Sequence, residues 1–146
     1  MSRTVRRAAN FGSSDVSRIN PGTGTGVNFA LPGGTTTPIG IAFDGTNIWT
    51  ANTGSSNVTR INPGTGAATS YPLPGATHPQ GIAFDGTNMW TANAGTDNVS
   101  RINPGTGAGV NFALPTGATN PNGIAFDGTN MWTANVNSAN LTRLVP

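Results

Sequence analysis

The chain has 146 residues, enough for one ordinary domain with a sizeable core, and its 21 Gly, 11 Pro and only 8% charged residues point away from helices. Lys and Glu are both missing, so seven Arg carry the basic charge and five Asp the acidic charge, and the net charge of +2 is too small to mark a nucleic-acid surface. The lack of Cys excludes disulfides, thiol catalysis and thiolate metal sites, and no apolar run approaches the length of a membrane span.

The N-terminus, "MSRTVRRAAN", is basic but has no apolar stretch behind it, so it does not read as a signal peptide. From Ala8 to Pro32 come two short alternating segments separated by "NPGTG", and then a loop rich in Gly, Thr and Pro. At Gly40 a phrase begins that dominates the rest: "GIAFDGTNIWTAN", which returns from Gly81 and again from Gly123 with Met for Ile, 41 and 42 residues apart. A fixed period of this length is the signature of a repeat architecture.

Each full unit holds four candidate strands bounded by turn residues. The first, A, is "GIAFDG"; the Asp44-Gly45 pair then makes a hairpin turn, because Gly accepts positive φ. Strand B is "NIWTAN" and strand C "NVTRIN". After the "NPGTG" turn (Asn62 to Gly66), with Pro followed by Gly, comes strand D, "ATSYPLPG". Four antiparallel strands per 41 to 42 residues predict an all-β chain of β-propeller blades. The first unit, residues 1–39, lacks strand A; residues 40–80 and 81–122 are whole blades; residues 123–146 lack strand D. Arg7 stands where the other units have Trp, which leaves the place of that first strand in doubt.

Three blade-equivalents cannot close a ring, so the expectation is closure by homo-oligomerisation, because open strand edges and bare apolar faces invite association. A six-bladed homodimer is the preferred count, with an eight-bladed dimer and a nine-bladed trimer left open.

The stretch "PQGIAFDGTNMWTANAGTDNVSRINPGTG" (Pro79 to Gly107) resembles the YVTN-type repeats of bacterial and archaeal surface propellers, with "MWTAN" in place of Tyr-Val-Thr-Asn and "NVSRIN" in place of the next strand. It is similar in pattern to NHL-type repeats and to the streptogramin lyase group. The resemblance implies an extracellular or cell-surface setting. The lyases rely on His and Glu with magnesium; this chain has no Glu and one His, His78, so their catalytic set is not matched and a non-catalytic binding or scaffolding role is expected, with no cofactor and no metal site. A fragment or engineered repeat that only self-assembles is the alternative, and a lyase the least favoured reading.

Comparison of the units within the chain places the candidate site. The A–B and C–D turns repeat as "DGTN" and "NPGTG". The B–C loops ("FGSSD", "TGSSN", "AGTDN", "VNSAN") and D–A loops ("GGTTTPI", "GATHPQ", "TGATNPN") differ, and both fall on one end of the blades. Ser55, Ser56, Thr96, Asp97, His78, Gln80, Asn120 and Asn122 are the candidates there, with carbohydrate as the ligand class. Trp49, Trp90 and Trp132 are either stacking platforms for sugar rings or inter-blade core. Arg18, Arg60, Arg101 and Arg143 are expected to pair with an Asp of the next blade, with anion binding by the row as the alternative, and Asn10, Asn52, Asn93 and Asn135 to form turns.

Overall fold

The computed structural model describes residues 6–146, and every regular element among them is a β-strand. In chain order these are β1 (Arg6–Asn10), β2 (Asp15–Ile19), β3 (Gly26–Ala30), β4 (Pro38–Phe43), β5 (Ile48–Asn52), β6 (Asn57–Ile61), β7 (Ala68–Pro72), β8 (Pro79–Phe84), β9 (Met89–Asn93), β10 (Asn98–Ile102), β11 (Gly109–Ala113), β12 (Pro121–Phe126), β13 (Met131–Asn135) and β14 (Asn140–Leu144). They form four antiparallel meanders. Two have four strands (β4 to β7 and β8 to β11) and two have three (β1 to β3 and β12 to β14).

The phrase that begins at Gly40 is therefore an inner hairpin. β4 starts at Pro38, two residues before the repeated phrase, and a register shift between Pro38 and Gly40 absorbs the extra residue. The first strand does pair: Arg7 lies opposite Arg18, as Trp49 lies opposite Arg60, so Arg replaces Trp without displacing β1. Residues 1–5 of that stretch lie outside the described residues.

Burial on both faces marks the sheets as stacked layers. β5 and β9 are buried at every position, which a sheet with one wet face could not show. Val16 of the first sheet packs with Ile48 and Ile61 of the second; Trp49, Val58 and Leu73 of the second pack with Met89 and Ile102 of the third; Trp90 and Val99 of the third pack with Met131 and Leu144 of the fourth. The innermost strands β4, β8 and β12 lie side by side. Gly permits this approach: a Cβ on Gly81 would stand 2.6 Å from the Asn122 carbonyl oxygen of the next inner strand.

Candidate binding face

Four parts of the repeat settle which residues are frame and which remain free. The first is the A–B turn. Asp44 Oδ1 accepts the Thr46 and Asn47 backbone N–H groups, and Asp44 Oδ2 accepts Trp49 Nε1 at 2.7 Å. Asp85 holds Trp90 and Asp127 holds Trp132 in the same way. Partial burial pushes the Asp44 and Asp85 carboxyls up, but the N–H donors and the indole outweigh it, and both end below the usual carboxylate range. At Asp127 the Asn130 N–H, the Trp132 indole and the Thr129 N–H bring the carboxyl down to about 2. Sequence reasoning missed this pairing, although the constant spacing of Asp and Trp, five residues in all three units, carried it.

The second part is the arginine row. Three of the four guanidinium groups lie over the strand-D aromatic of their own sheet, Arg18 over Phe29, Arg60 over Tyr71 and Arg101 over Phe112, and Trp49 stacks on Tyr71 with centroids 5.8 Å apart. Arg18 Nη1 donates to Pro63 O and Arg60 Nη1 to Pro104 O, both in the C–D turn of the next sheet. The expected Arg–Asp ladder is thus corrected. The contact does cross between layers, but its acceptor is a backbone carbonyl, because the Asp carboxylates are taken by the indoles.

The third is the asparagine at the end of strand B. Asn93 Nδ2 donates to Asn98 Oδ1 and Ser100 Oγ, and Thr91 Oγ1 donates to Asn93 Oδ1. Asn52 and Asn135 make the same two donations, and Asn10 donates to Asp15 and Ser17. These residues are not the turn formers expected. Asn52 and Asn93 are fully buried, and the left-handed backbone falls four residues later, at Ser14, Ser56, Asp97 and Ala139.

The fourth is the face made by the B–C and D–A loops, which meet as the unit comparison predicts. Thr53 N donates to Thr37 O, Ala94 N to His78 O and Val136 N to Asn120 O. Ser55 Oγ accepts the Thr36 N–H and donates to Asn57, and Thr96 does the same between Thr77 and Asn98, as Ser138 does between Thr119 and Asn140. Ser55 and Thr96 are therefore latches. Thr37, His78 and Asn120, each directly before a Pro, are left-handed, as are Ser56, Asp97 and Ala139. His78 and Asp97 are exposed, and Asp97 accepts the Asn120 N–H. Further toward the inner strands, Asn122 Nδ2 donates to Gln80 Oε1 at 2.7 Å, and Ile39 holds the matching position of the second sheet.

The tryptophans do not join this face. Trp49 is 0% and Trp90 2% exposed, so neither offers a ring to a ligand, and the stacking-platform reading of these two gives way to the inter-blade core. Trp132 keeps partial exposure on the uncovered side of the last sheet. Among the described residues no three His, Cys, Asp or Glu side chains gather to hold a metal.

Solved structures superpose on this stack of meanders. Virginiamycin B lyase from Staphylococcus aureus, in a catalytically inactive form with quinupristin, superposes with a TM-score of 0.82 at 21% identity, over 93% of this chain and 46% of the lyase. The fold is that of a β-propeller. A computationally designed protein, Ika4, superposes on this propeller segment with a TM-score of 0.76 at 12% identity, over 99% of this chain and 87% of Ika4. A chain of a nidogen/laminin complex does so at 0.69 and 18%, over 90% of this chain and 58% of that one. The propeller segment spans about half the length of the lyase structures it matches. Neither a protein-family model nor a curated protein matches the sequence.

Proposed function

We propose that the chain is a non-catalytic binding frame that associates with copies of itself and presents the B–C and D–A loop face to a repetitive ligand, a surface glycan first among the classes to test. One observation carries the reading. The same hydrogen bonds pin the loop backbones in successive sheets, while the side chains at the left-handed positions differ from sheet to sheet: Thr37 and Ser56, His78 and Asp97, Asn120 and Ala139, of which Asp97 alone is tied, to the Asn120 N–H. Function on propellers is written in such loops, held by a rigid scaffold. The free groups are small, polar and nearly uncharged, which suits hydroxyl-rich ligands better than phosphates or nucleic acid. Weak sites repeated around one frame bind a repetitive partner with gains of about 10² to 10⁴ in avidity. A cell-surface setting, which the YVTN resemblance implies, would supply such partners.

The inventory supports the non-catalytic half. The chain has no Glu or Cys, and its one His stands exposed on a loop. Glycan-array binding of the native chain, compared with a variant carrying His78→Ala, Asp97→Ala and Asn120→Ala, tests the reading. Loss of signal in the variant is expected. Undiminished binding would remove the loop face from the proposal, and opening of a streptogramin ring by the native chain would replace it with the lyase reading.

A further inference from the structure

We infer that the uncovered face of the last sheet, around Leu141 of β14, docks on the first sheet of a second copy around Ile19 of β2, and that two such contacts close a ring of eight sheets; the inference rests on the self-association just proposed. The three interfaces inside the chain supply the template. At each one the second residue of strand C in one sheet packs in a common cluster with the fifth residue of strand C in the next: Val16 with Ile61, Val58 with Ile102, Val99 with Leu144. Continuing the series, Leu141 takes the place of Val58 and Val99, and Ile19 that of Ile61 and Ile102. Val58 and Val99 are 0% exposed, whereas Leu141 is 69% exposed, so the last sheet repeats the apolar donor face with nothing on it.

The arginine row marks the same face as an interface left open. Arg143 repeats the row in which Arg18 and Arg60 reach the Pro carbonyl of the following C–D turn; continued onto a second copy, that acceptor is Pro21, which is exposed. The docking is head to tail, so it must close or grow into a filament. Four sheets per chain, overlaying 46% of the virginiamycin B lyase chain, put two copies close to the length of one whole propeller.

Because the chain has no Cys, a cross-link can be placed at this contact alone. The test is native mass spectrometry and non-reducing electrophoresis of the 14.8 kDa chain, of Leu141→Asp, and of a double variant carrying Ile19→Cys and Leu141→Cys. The expected results are a native mass twice that of the chain, at least tenfold weaker association for Leu141→Asp, unchanged association for a Val110→Asp control on the outer strand β11, and a covalent dimer for the double variant. A native monomer, a trimer, open filaments, or a dimer whose double variant forms no disulfide between the two copies would overturn the inference. The loop-face alanine variant should keep the dimeric mass, so loss of ligand binding and loss of the interface read out separately.

Discussion

Asn93 and Asn52 hold equivalent places in successive sheets, yet they do not make the same bonds, and this difference predicts unequal costs of substitution. Asn93→Ala removes three hydrogen bonds, a partly buried one at 2.7 Å and two buried ones at 2.8 and 2.9 Å. At about 1 kcal/mol net for each, and with the Thr91 hydroxyl left buried without a partner, the loss is about 3 to 4 kcal/mol. Asn52→Ala removes only the two donations of Nδ2, because Asn52 Oδ1 and Thr50 Oγ1 are already buried and unpartnered. Removing an unsatisfied buried carbonyl returns part of what the two bonds supplied, so the net loss is about 1 kcal/mol. Urea unfolding of the two variants side by side checks this. With a slope of about 2 kcal/mol per molar, the Asn93→Ala midpoint should fall about 1 M or more below that of Asn52→Ala. Equal midpoints, or a lower midpoint for Asn52→Ala, would refute the claim that the Thr–Asn bond distinguishes the two sheets.

Gly107 and Gly24 are both left-handed at the same place in the C–D turn, but an added Cβ at Gly107 falls on the Tyr71 ring of the preceding sheet and at Gly24 meets nothing within 4 Å. In a thermal melt Gly24→Ala should cost only the left-handed penalty of about 1 to 2 kcal/mol, and Gly107→Ala several kcal/mol more. The lowered carboxyls of Asp44, Asp85 and Asp127 stabilise the fold above the ordinary carboxylate pKa near 4, and that stability should drain away as the pH falls toward about 2; chemical denaturation repeated from pH 6 to pH 2 should show it, and a flat profile would contradict the indole bonding. Asp85→Ala leaves the Trp90 indole and two backbone N–H groups without their acceptor, which should cost about 2 kcal/mol or more in urea unfolding and shift the Trp fluorescence.

Local chemistry made much of the frame legible. Alternation, the Asp-Gly pair and "NPGTG" placed all four strands of the repeat and both kinds of turn, because a meander uses short-range signals that recur in every unit. The side of the loop face was readable too, since antiparallel connectivity alone puts the B–C and D–A connections together. Two residue rows were misassigned for one reason: their partners are set by neighbours the sequence does not name. Arg18 and Arg60 found carbonyls instead of Asp and the strand-end asparagines turned inward, while Ser55 and Thr96, on the loop face as expected, also latch loops 19 residues apart.

The sequence by itself determined that this chain is a stack of antiparallel meanders with one constant and one varied end. Only the tertiary structure decided which varied side chains are free, because freedom is what remains after each backbone N–H and each buried polar group has found its partner. It also decided that Trp49 and Trp90 are core while Leu141, at a place that is buried in the three preceding sheets, stands uncovered. Burial belongs to the stacking of layers, and a repeat written alike in every unit cannot say which unit stands at the end.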